Sequence, residues 1–348
     1  MIKLIKNNIA KFFLILLVLF LLLALASIAI GSANITIGEA FITIIKGIPI
    51  IGDIVAAEAS STHSLIIYKI RLPRIVMASL TGMGLGVVGV AFQGVFKNPM
   101  ADPYVLGISS GGALGAAIAI VLKLGESMFS FSLTTIFAFL GALLTAFLVY
   151  NIARVGNQLP TVNLLLAGVA VSFLLSACLS LLMVFNRKSV ENIVFWTLGS
   201  LNSASWRQVA TTAPVIIFGT AVIYFYSRDL NIMLTGDEAA KSMGIDVERV
   251  KKIIIIVSAF MVAASVAFTG IIGFVGLLVP HIMRMLLGPN HKHLILFSAL
   301  GGAMFLLIAD TLARSVLPTA ELPVGAVTAL FGSPYFIFLF LKYKKRVM

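Results

Sequence analysis

The chain has 348 residues, of which 60% are hydrophobic and only 11% are charged. A mean hydropathy of +1.10 exceeds what a soluble domain could bury in one core, so the composition excludes a soluble globular protein and predicts a polytopic membrane protein. The net charge of +12 does not indicate nucleic-acid binding, because the basic residues lie in short loops and at the termini. The single cysteine, Cys178, excludes a disulfide framework and a cysteine-built metal cluster.

The first predicted span is the apolar run from Phe12 to Ile30, which follows the basic residues Lys3, Lys6 and Lys11. A signal peptide has the same order of charged and apolar residues, but this run is too long and no convincing small-residue cleavage site follows it. We therefore predict an uncleaved membrane helix. The next stretch, Gly31 to Lys69, contains no clear span, and a short amphipathic helix and a disordered loop are both compatible with its pattern.

Charged residues, glycines and prolines divide the rest of the chain into apolar runs near the length of a membrane span, about 20 residues. We predict one transmembrane domain over residues 1–348 with about ten spans, centred near residues 20, 84, 114, 142, 173, 218, 261, 279, 304 and 332. The run near residue 279 is short and rich in glycine. An even number of spans with both termini in the cytoplasm places most of the 25 basic residues on the inner side.

Glycines recur at helical spacing in the second and third predicted spans. Small residues let helix backbones approach closely in lipid, where burial of apolar area gives little help. Close helix packing is therefore a better interpretation than a substrate path for these positions, which are Gly82, Gly84, Gly86, Gly89, Gly107, Gly111 and Gly115.

Ionisable residues are nearly absent from the predicted spans. Asp310 is the only acidic residue clearly inside one, and Arg314 follows it one helical turn later, so a structural ion pair and a functional one are equally supported. A carrier driven by an ion gradient normally needs carboxylates near the membrane midplane, and this scarcity weighs against that class. The chain also lacks the G-x-x-x-x-G-K-[ST] phosphate loop, so the energy for transport is expected to come from another subunit.

The only substantial polar stretch on the predicted inner side is residues 234–249. Thr235 and Glu238 have the spacing of a capping box, and Gly244 is placed to end the helix that follows. Asp246 can cap a second helix that runs into the seventh span. Such a knob could seat in a groove of a partner protein through a small-residue face formed by Ala239, Ala240 and Met243. An ordinary structured loop is the alternative.

Several motifs follow one another in an order that resembles the FecCD-type permeases, the membrane subunits of ABC importers for iron-siderophore complexes, haem and cobalamin. The resemblance runs from about residue 70 to the C-terminus. Its motifs are Arg71-Leu-Pro-Arg74, Gln93-Gly94, Asn98-Pro-Met-Ala-Asp-Pro103, Leu106-Gly-Ile-Ser-Ser-Gly111, Leu166-Ala-Gly-Val169, Trp196-Thr-Leu-Gly-Ser200, Gly273-Phe-Val-Gly-Leu-Leu-Val-Pro-His281 with Arg284, Ala309-Asp310 to Arg314, and Ala320-Glu-Leu-Pro-Val-Gly-Ala-Val-Thr328.

The resemblance implies an all-α fold of ten transmembrane helices, similar to the cobalamin-importer permease. Two copies would form the pore in the cytoplasmic (inner) membrane, two ATPase subunits would dock below it, and an extracytoplasmic binding protein would deliver the cargo. ATP and magnesium would be bound by the ATPase subunits, with no cofactor, metal or catalytic residue in this chain. A single unfused half of ordinary length favours a homodimer.

The resemblance also implies roles for three groups of residues. Arg71, Arg74 and Arg314 match positions that pair with acidic residues of the binding protein, although the first two could merely mark the end of a span. The coupling helix that carries ATPase motion would comprise Thr235, Gly236, Asp237, Glu238, Ala239, Ala240, Met243 and Gly244. The translocation path would include Leu174, Ala177, Leu181 and Met183.

These features predict the permease subunit of a type II ABC importer for an iron(III) chelate, a siderophore or haem. The same machine carrying cobalamin or an oxyanion such as molybdate is an alternative. An ion-coupled secondary carrier is the alternative from a different class. A membrane enzyme would need a constellation of acids, histidines or metal ligands that the sequence does not contain.

Overall fold

The computed structural model describes residues 8–31, 35–46, 61–124, 132–317 and 320–347. Over these ranges the fold is all-α, apart from an isolated bridge between Val155 and Gln158. The α-helices are α1 (Ile9–Ala29), α2 (Ile37–Lys46), α3 (Ser61–Ile66), α4 (Leu72–Val95), α5 (Ile108–Val121), α6 (Leu133–Ala153), α7 (Thr161–Phe185), α8 (Val190–Thr197), α9 (Trp206–Phe225), α10 (Ser227–Met233), α11 (Asp237–Ser242), α12 (Val247–Thr269), α13 (Val275–Leu287), α14 (His291–Ala313) and α15 (Val324–Val347).

Apolar helices lie at the position of every predicted span centre. In the described part of the chain, 7 helices are long and apolar enough to cross a membrane, and α5, α13 and α15 contain shorter apolar stretches. Each of the predicted span centres lies inside one of these helices. The protein is therefore a polytopic all-α membrane protein, as the composition predicts. Helix α13 has 13 residues, about 20 Å of helix, which agrees with the short eighth run.

Helices α4, α12 and α14 form the centre of the bundle. The apolar window of the α3–α4 helix is 83% buried and that of α14 is 78% buried, whereas only 11% of the α1 window is buried. Glycines allow α4 to touch its neighbours backbone to backbone, because a Cβ at Gly82 would overlap the carbonyl of Gly302, and one at Gly89 would overlap the carbonyl of Gly276. The glycine pattern therefore reflects helix packing.

The segment between α1 and α4 contains helical structure in its described residues. Helix α2 begins at a capping box, in which the Glu39 carboxylate accepts from the Thr36 backbone N–H at 2.9 Å and Thr36 Oγ1 accepts from the Glu39 backbone N–H at 3.2 Å. Helix α3 continues through a π-helical turn, Ile67–Arg71, into α4. Of the two sequence alternatives, a short helix is present at α2, and residues 47–60 lie outside the described residues.

The connection between α4 and α5 re-enters the bundle as non-helical chain. The Tyr104 hydroxyl donates to the Ile272 carbonyl at 2.9 Å, and Gly107 has a left-handed φ of 70° at the start of α5. Backbone of this kind is tolerated at membrane depth where it is buried in protein. The segment thus connects Lys97, just after α4, to the interior of the bundle.

Candidate functional site

The polar segment predicted to couple the permease to its partners forms a short helix that projects between α10 and α12. Asp237 and Glu238 lie in the first turn of α11, where carboxylates complement the helix dipole, and Lys241 pairs with Glu238 at 2.9 Å. Gly244 ends the helix with a left-handed φ of 84°, and the Asp246 side chain caps α12 by accepting from the Arg249 backbone N–H at 3.1 Å. These two sequence predictions are confirmed.

Two details of that prediction are wrong. The helix cap is Gly236, without a side-chain hydrogen bond, and Thr235 Oγ1 instead donates to the Ile232 carbonyl at 2.7 Å, so no capping box forms with Glu238. Ala240 is fully buried and faces the protein, while Met243 is 63% exposed. The surface that α11 offers to a partner is therefore formed by its charged side and Met243, not by a continuous small-residue face.

Asp237 is the centre of an ion-pair network between α11, the end of α4 and the start of α12. Its carboxylate accepts from Lys97 Nζ at 2.5 Å and from Lys251 Nζ at 2.6 Å. Burial alone would raise the pKa of Asp237, but the hydrogen bonds and charges of Lys251 and Lys97 outweigh it and hold the pKa below its ordinary value. Helix α11 is thus tied both to the end of α4 and to the start of α12.

The same network reaches α7. Lys251 is 1% exposed, and its Nζ lies 3.4 Å from the Leu159 carbonyl oxygen. Glu248, 3.8 Å from Lys251 Nζ, accepts from the Leu159 backbone N–H at 2.7 Å. Since Leu159 lies just before α7, these contacts join α11 to the start of α7 through two side chains of α12. We name this set of residues, Lys97, Asp237, Glu248, Lys251 and Leu159, the coupling network.

Four members of the coupling network, Leu159 and three charged residues, were missed by sequence reasoning. Charged residues at the ends of spans are usually interpreted as markers of membrane topology, and this interpretation also fits Lys97, Glu248 and Lys251. One signal was available, because Glu248 and Lys251 lie three residues apart on a predicted helix. Their joint contact with Leu159 depends on how α7 and α12 pack and has no sequence signature.

The predicted path residues lie on α7, which is poorly covered by the rest of the chain. Phe173 is 74% exposed, Leu174 is 60% exposed and Leu181 is 57% exposed. Ala177 is also exposed, and Met183 is half-buried. Helix α7 contains no charged residue, so its open face is apolar with interspersed serines.

At the opposite end of the bundle, the predicted docking arginines are buried. Arg74 donates to Asp310 at 2.8 Å, to Glu321 at 2.8 Å and to Asn202 at 2.7 Å. Asp310 has no exposed surface, and Arg74 is 6% exposed. Arg74 therefore joins α4 to α14 and to the segment that precedes α15.

Arg71 and Arg314 are directed toward α1. Arg314, 9% exposed, donates to the carbonyl of Ser27 and to its hydroxyl, and its Nε lies 3.9 Å from Asp310. Arg71, 4% exposed, donates to the carbonyls of Ile28 and Ala29. The structure thus brings the three arginines together in one cluster around Asp310 and the end of α1. The i,i+4 pairing of Asp310 with Arg314 is long, and the close partner of Asp310 is Arg74.

Burial of these three guanidinium groups gives them a structural role in this chain. Direct pairing with an acidic residue of another protein requires exposed donors, and most of their donors face acceptors within the chain. Direct docking by the arginines stays a prediction from the resemblance.

Comparison with known proteins gives a consistent result. The sequence pattern of the FecCD transport family matches residues 16–342. The cobalamin import system permease protein BtuC of Halobacterium salinarum is 44% identical over 278 residues, which cover 80% of this chain and 74% of that protein. The hemin transport system permease protein HmuU of Yersinia pestis is 38% identical over 280 residues, covering 80% of this chain and 84% of that protein.

One solved structure overlaps almost the whole chain. It is described as an inward-facing conformation of a metal-chelate type ABC transporter, and its TM-score is 0.81 at 30% identity, over 96% of this chain and 99% of that one.

Proposed function

We propose, for a chain that belongs to the FecCD transport family and is a permease subunit of an ABC importer, that the cargo is an iron(III) chelate, a siderophore or haem complex. The observation that supports this choice of cargo is the overlap with a metal-chelate type transporter over nearly the full length of both chains. A relative named for hemin transport supports the same class.

Cobalamin is the second candidate, because a relative named for cobalamin import has the higher identity, 44% against 38%. Cobalamin and the iron chelates share their size and a metal centre held by an organic ligand. A smaller oxyanion such as molybdate has neither property, and no feature of the described residues favours it.

The cargo passes along the open face of α7, opposite a second permease subunit. The apolar surface of α7 has no charge with which to bind cargo tightly, and a path must release what it admits. Helix α15 presents a second exposed apolar face, which includes Leu330 and Phe331. A second copy of this chain, packed against these two helices, covers both faces, and the proposed assembly is a homodimer.

ATPase subunits bind below α11 and supply the energy, with ATP and magnesium held in those subunits. Movement of α11 is transmitted through the coupling network, because Asp237 cannot shift without pulling on Lys251, which contacts Leu159 at the start of α7. The conformational change of the ATPase subunits would thereby move the inner end of the translocation path. The chain itself carries no chemical step.

In the membrane, all ten apolar helices cross, and both termini face the cytoplasm. This orientation places α11, Lys97 and the basic C-terminus on the inner side, in agreement with the distribution of basic residues. The arginine cluster then faces outward, where an extracytoplasmic binding protein docks.

The cargo is tested by transport into proteoliposomes that contain the permease, its cognate ATPase and its binding protein. Radiolabelled ferric siderophore, haem and cobalamin are offered separately, with and without ATP. ATP-dependent uptake of an iron chelate supports the proposal, and uptake of cobalamin alone replaces it with the second candidate. Uptake that follows an ion gradient without ATP would overturn the importer mechanism.

A further inference from the structure

An apolar groove with a basic mouth runs between α6 and α12, away from the open face of α7. Its cavity volume is about 450 Å³, and only residues of these two helices and of the turn after α6 line it. The walls are side chains such as Phe147, Ile256 and Phe260, which are 68%, 43% and 46% exposed. Phe260 lies at the end of the groove farthest from Lys252 along α12, and its ring centroid lies 6.3 Å from that of Phe139.

The groove has the depth of one membrane leaflet. Along α6 its lining extends from Leu143 to Arg154, which at about 1.5 Å per residue is about 16 Å. Half of a hydrocarbon core is about 15 Å thick. Tyr150 and Asn151 line the groove near its mouth, where amphipathic side chains are expected at a membrane interface.

Three exposed cations surround the mouth. Arg154 and Lys252 line the groove itself, and Arg249 lines an adjoining cavity of about 260 Å³ that also contains Arg154 and Lys252. Arg154 donates only to neutral acceptors in its own turn, Gly156 and Asn157. Within the described part of the chain, none of the three forms an ion pair with a carboxylate.

The two carboxylates in the adjoining cavity form no ion pair with these three cations, which outnumber them. Asp246 is engaged as the helix cap of α12, and Glu248 belongs to the coupling network. Positive charge that forms no ion pair therefore lies at the mouth of the apolar groove.

We propose that this groove binds an anionic phospholipid of the inner leaflet, with an acyl chain between α6 and α12 and the phosphate at Arg154, Lys252 and Arg249. Basic pockets between helices on the cytoplasmic side suit such headgroups, and each nearby cation adds attraction to an anionic lipid. A second copy of the chain is a poorer occupant, because the open apolar faces of α7 and α15 lie elsewhere. The inference relies on the proposed membrane orientation but not on the cargo.

Native mass spectrometry of the full-length chain, released from nanodiscs that contain phosphatidylglycerol and phosphatidylcholine with the same acyl chains, tests the site. The wild-type chain is expected to retain phosphatidylglycerol preferentially. The double substitution Arg154→Gln/Lys252→Gln is expected to lower its relative affinity roughly tenfold. The control Arg187→Gln/Lys188→Gln removes two cations after the opposite end of α7 and is expected to leave retention unchanged.

A second variant separates the groove from the basic patch. Ile256→Trp fills the slot from an exposed position and keeps all three cations, and it is expected to reduce phosphatidylglycerol retention as well. Melting temperatures of all variants verify folding. Equal retention of both lipids, an equal loss in the control, unchanged retention in Ile256→Trp, or a second protein chain in place of the lipid would each overturn the proposal. This assay does not measure cargo transport, so failure of the lipid-binding proposal is distinguishable from failure of the proposed function.

Discussion

Arg74 and Asp310 form a close, buried ion pair, with side chains that are 8% and 0% exposed. The two residues lie 236 positions apart, and two nitrogens of the Arg74 guanidinium contact the carboxylate. Removal of one partner from such a pair leaves an uncompensated buried charge, whereas removal of both leaves an apolar contact. Substitutions at this pair can therefore distinguish a structural role of Arg74 from a role in docking the binding protein.

We expect Arg74→Met to destabilise the chain by about 3–5 kcal/mol, because Asp310 would lose its close partner. The double substitution Arg74→Met/Asp310→Leu should recover part of that loss, because it removes the unpaired carboxylate but also the one that lies 3.9 Å from Arg314 Nε. Thermal unfolding of the detergent-solubilised chain measures both effects. An unchanged melting temperature in the single variant would show that the pair does not stabilise the protein.

The double variant also tests docking. Measured below its melting temperature, its affinity for the binding protein should stay close to that of the wild type if Arg74 is structural. Loss of affinity in this stable variant would instead support the direct docking role that the family resemblance implies.

At the scale of secondary-structure elements, the coupling network joins α11 to α7 through α12. Lys251→Met removes the charge that contacts both Asp237 and the Leu159 carbonyl. We expect ATPase binding to persist while the transport per ATP hydrolysed falls on the order of tenfold, the usual scale of a coupling free energy. Parallel measurement of uptake and ATP hydrolysis in proteoliposomes tests this.

The control for Lys251→Met is Lys292→Met, which removes an exposed lysine at the start of α14 outside the coupling network. Both variants should have similar expression and melting temperatures. If the two variants coupled transport to hydrolysis equally well, the network would have no role in transmission.

Glycine at position 89 determines how closely α4 approaches α13. A Cβ there would overlap the Gly276 carbonyl, so Gly89→Ala must push the helices apart. We expect a destabilisation of about 1–3 kcal/mol, the usual cost of overpacking. Gly38→Ala on α2 is the matched control, since a Cβ there meets nothing within 4 Å. A lower melting temperature for both variants would contradict a role for close packing at Gly89.

At the scale of the whole molecule, the open face of α7 should be shared with a second copy. Cys178 is the only cysteine of the chain, and it lies exposed on α7. We expect a short thiol-specific crosslinker to produce a species of twice the chain's mass in native membranes. Cys178→Ser should abolish it.

Moving the thiol provides the control for that experiment. Leu144 is 66% exposed on α6, so Cys178→Ser/Leu144→Cys carries an equally accessible cysteine on another side of the bundle. Equal crosslinking of both variants would indicate random collisions and contradict a dimer about α7.

The sequence by itself determined the membrane class, the positions of the apolar helices, the segment near α11 and the family resemblance. Hydropathy, glycine spacing and helix-ending residues such as Gly244 are local properties, which can be recognised without knowledge of how the helices pack. Only the tertiary structure decided that Arg74 pairs with Asp310, that Ala240 faces inward and that Lys251 joins α11 to α7. These contacts link residues far apart in the chain, and they exist only because close helix packing brings charged groups into low-dielectric contact, where each must find a partner.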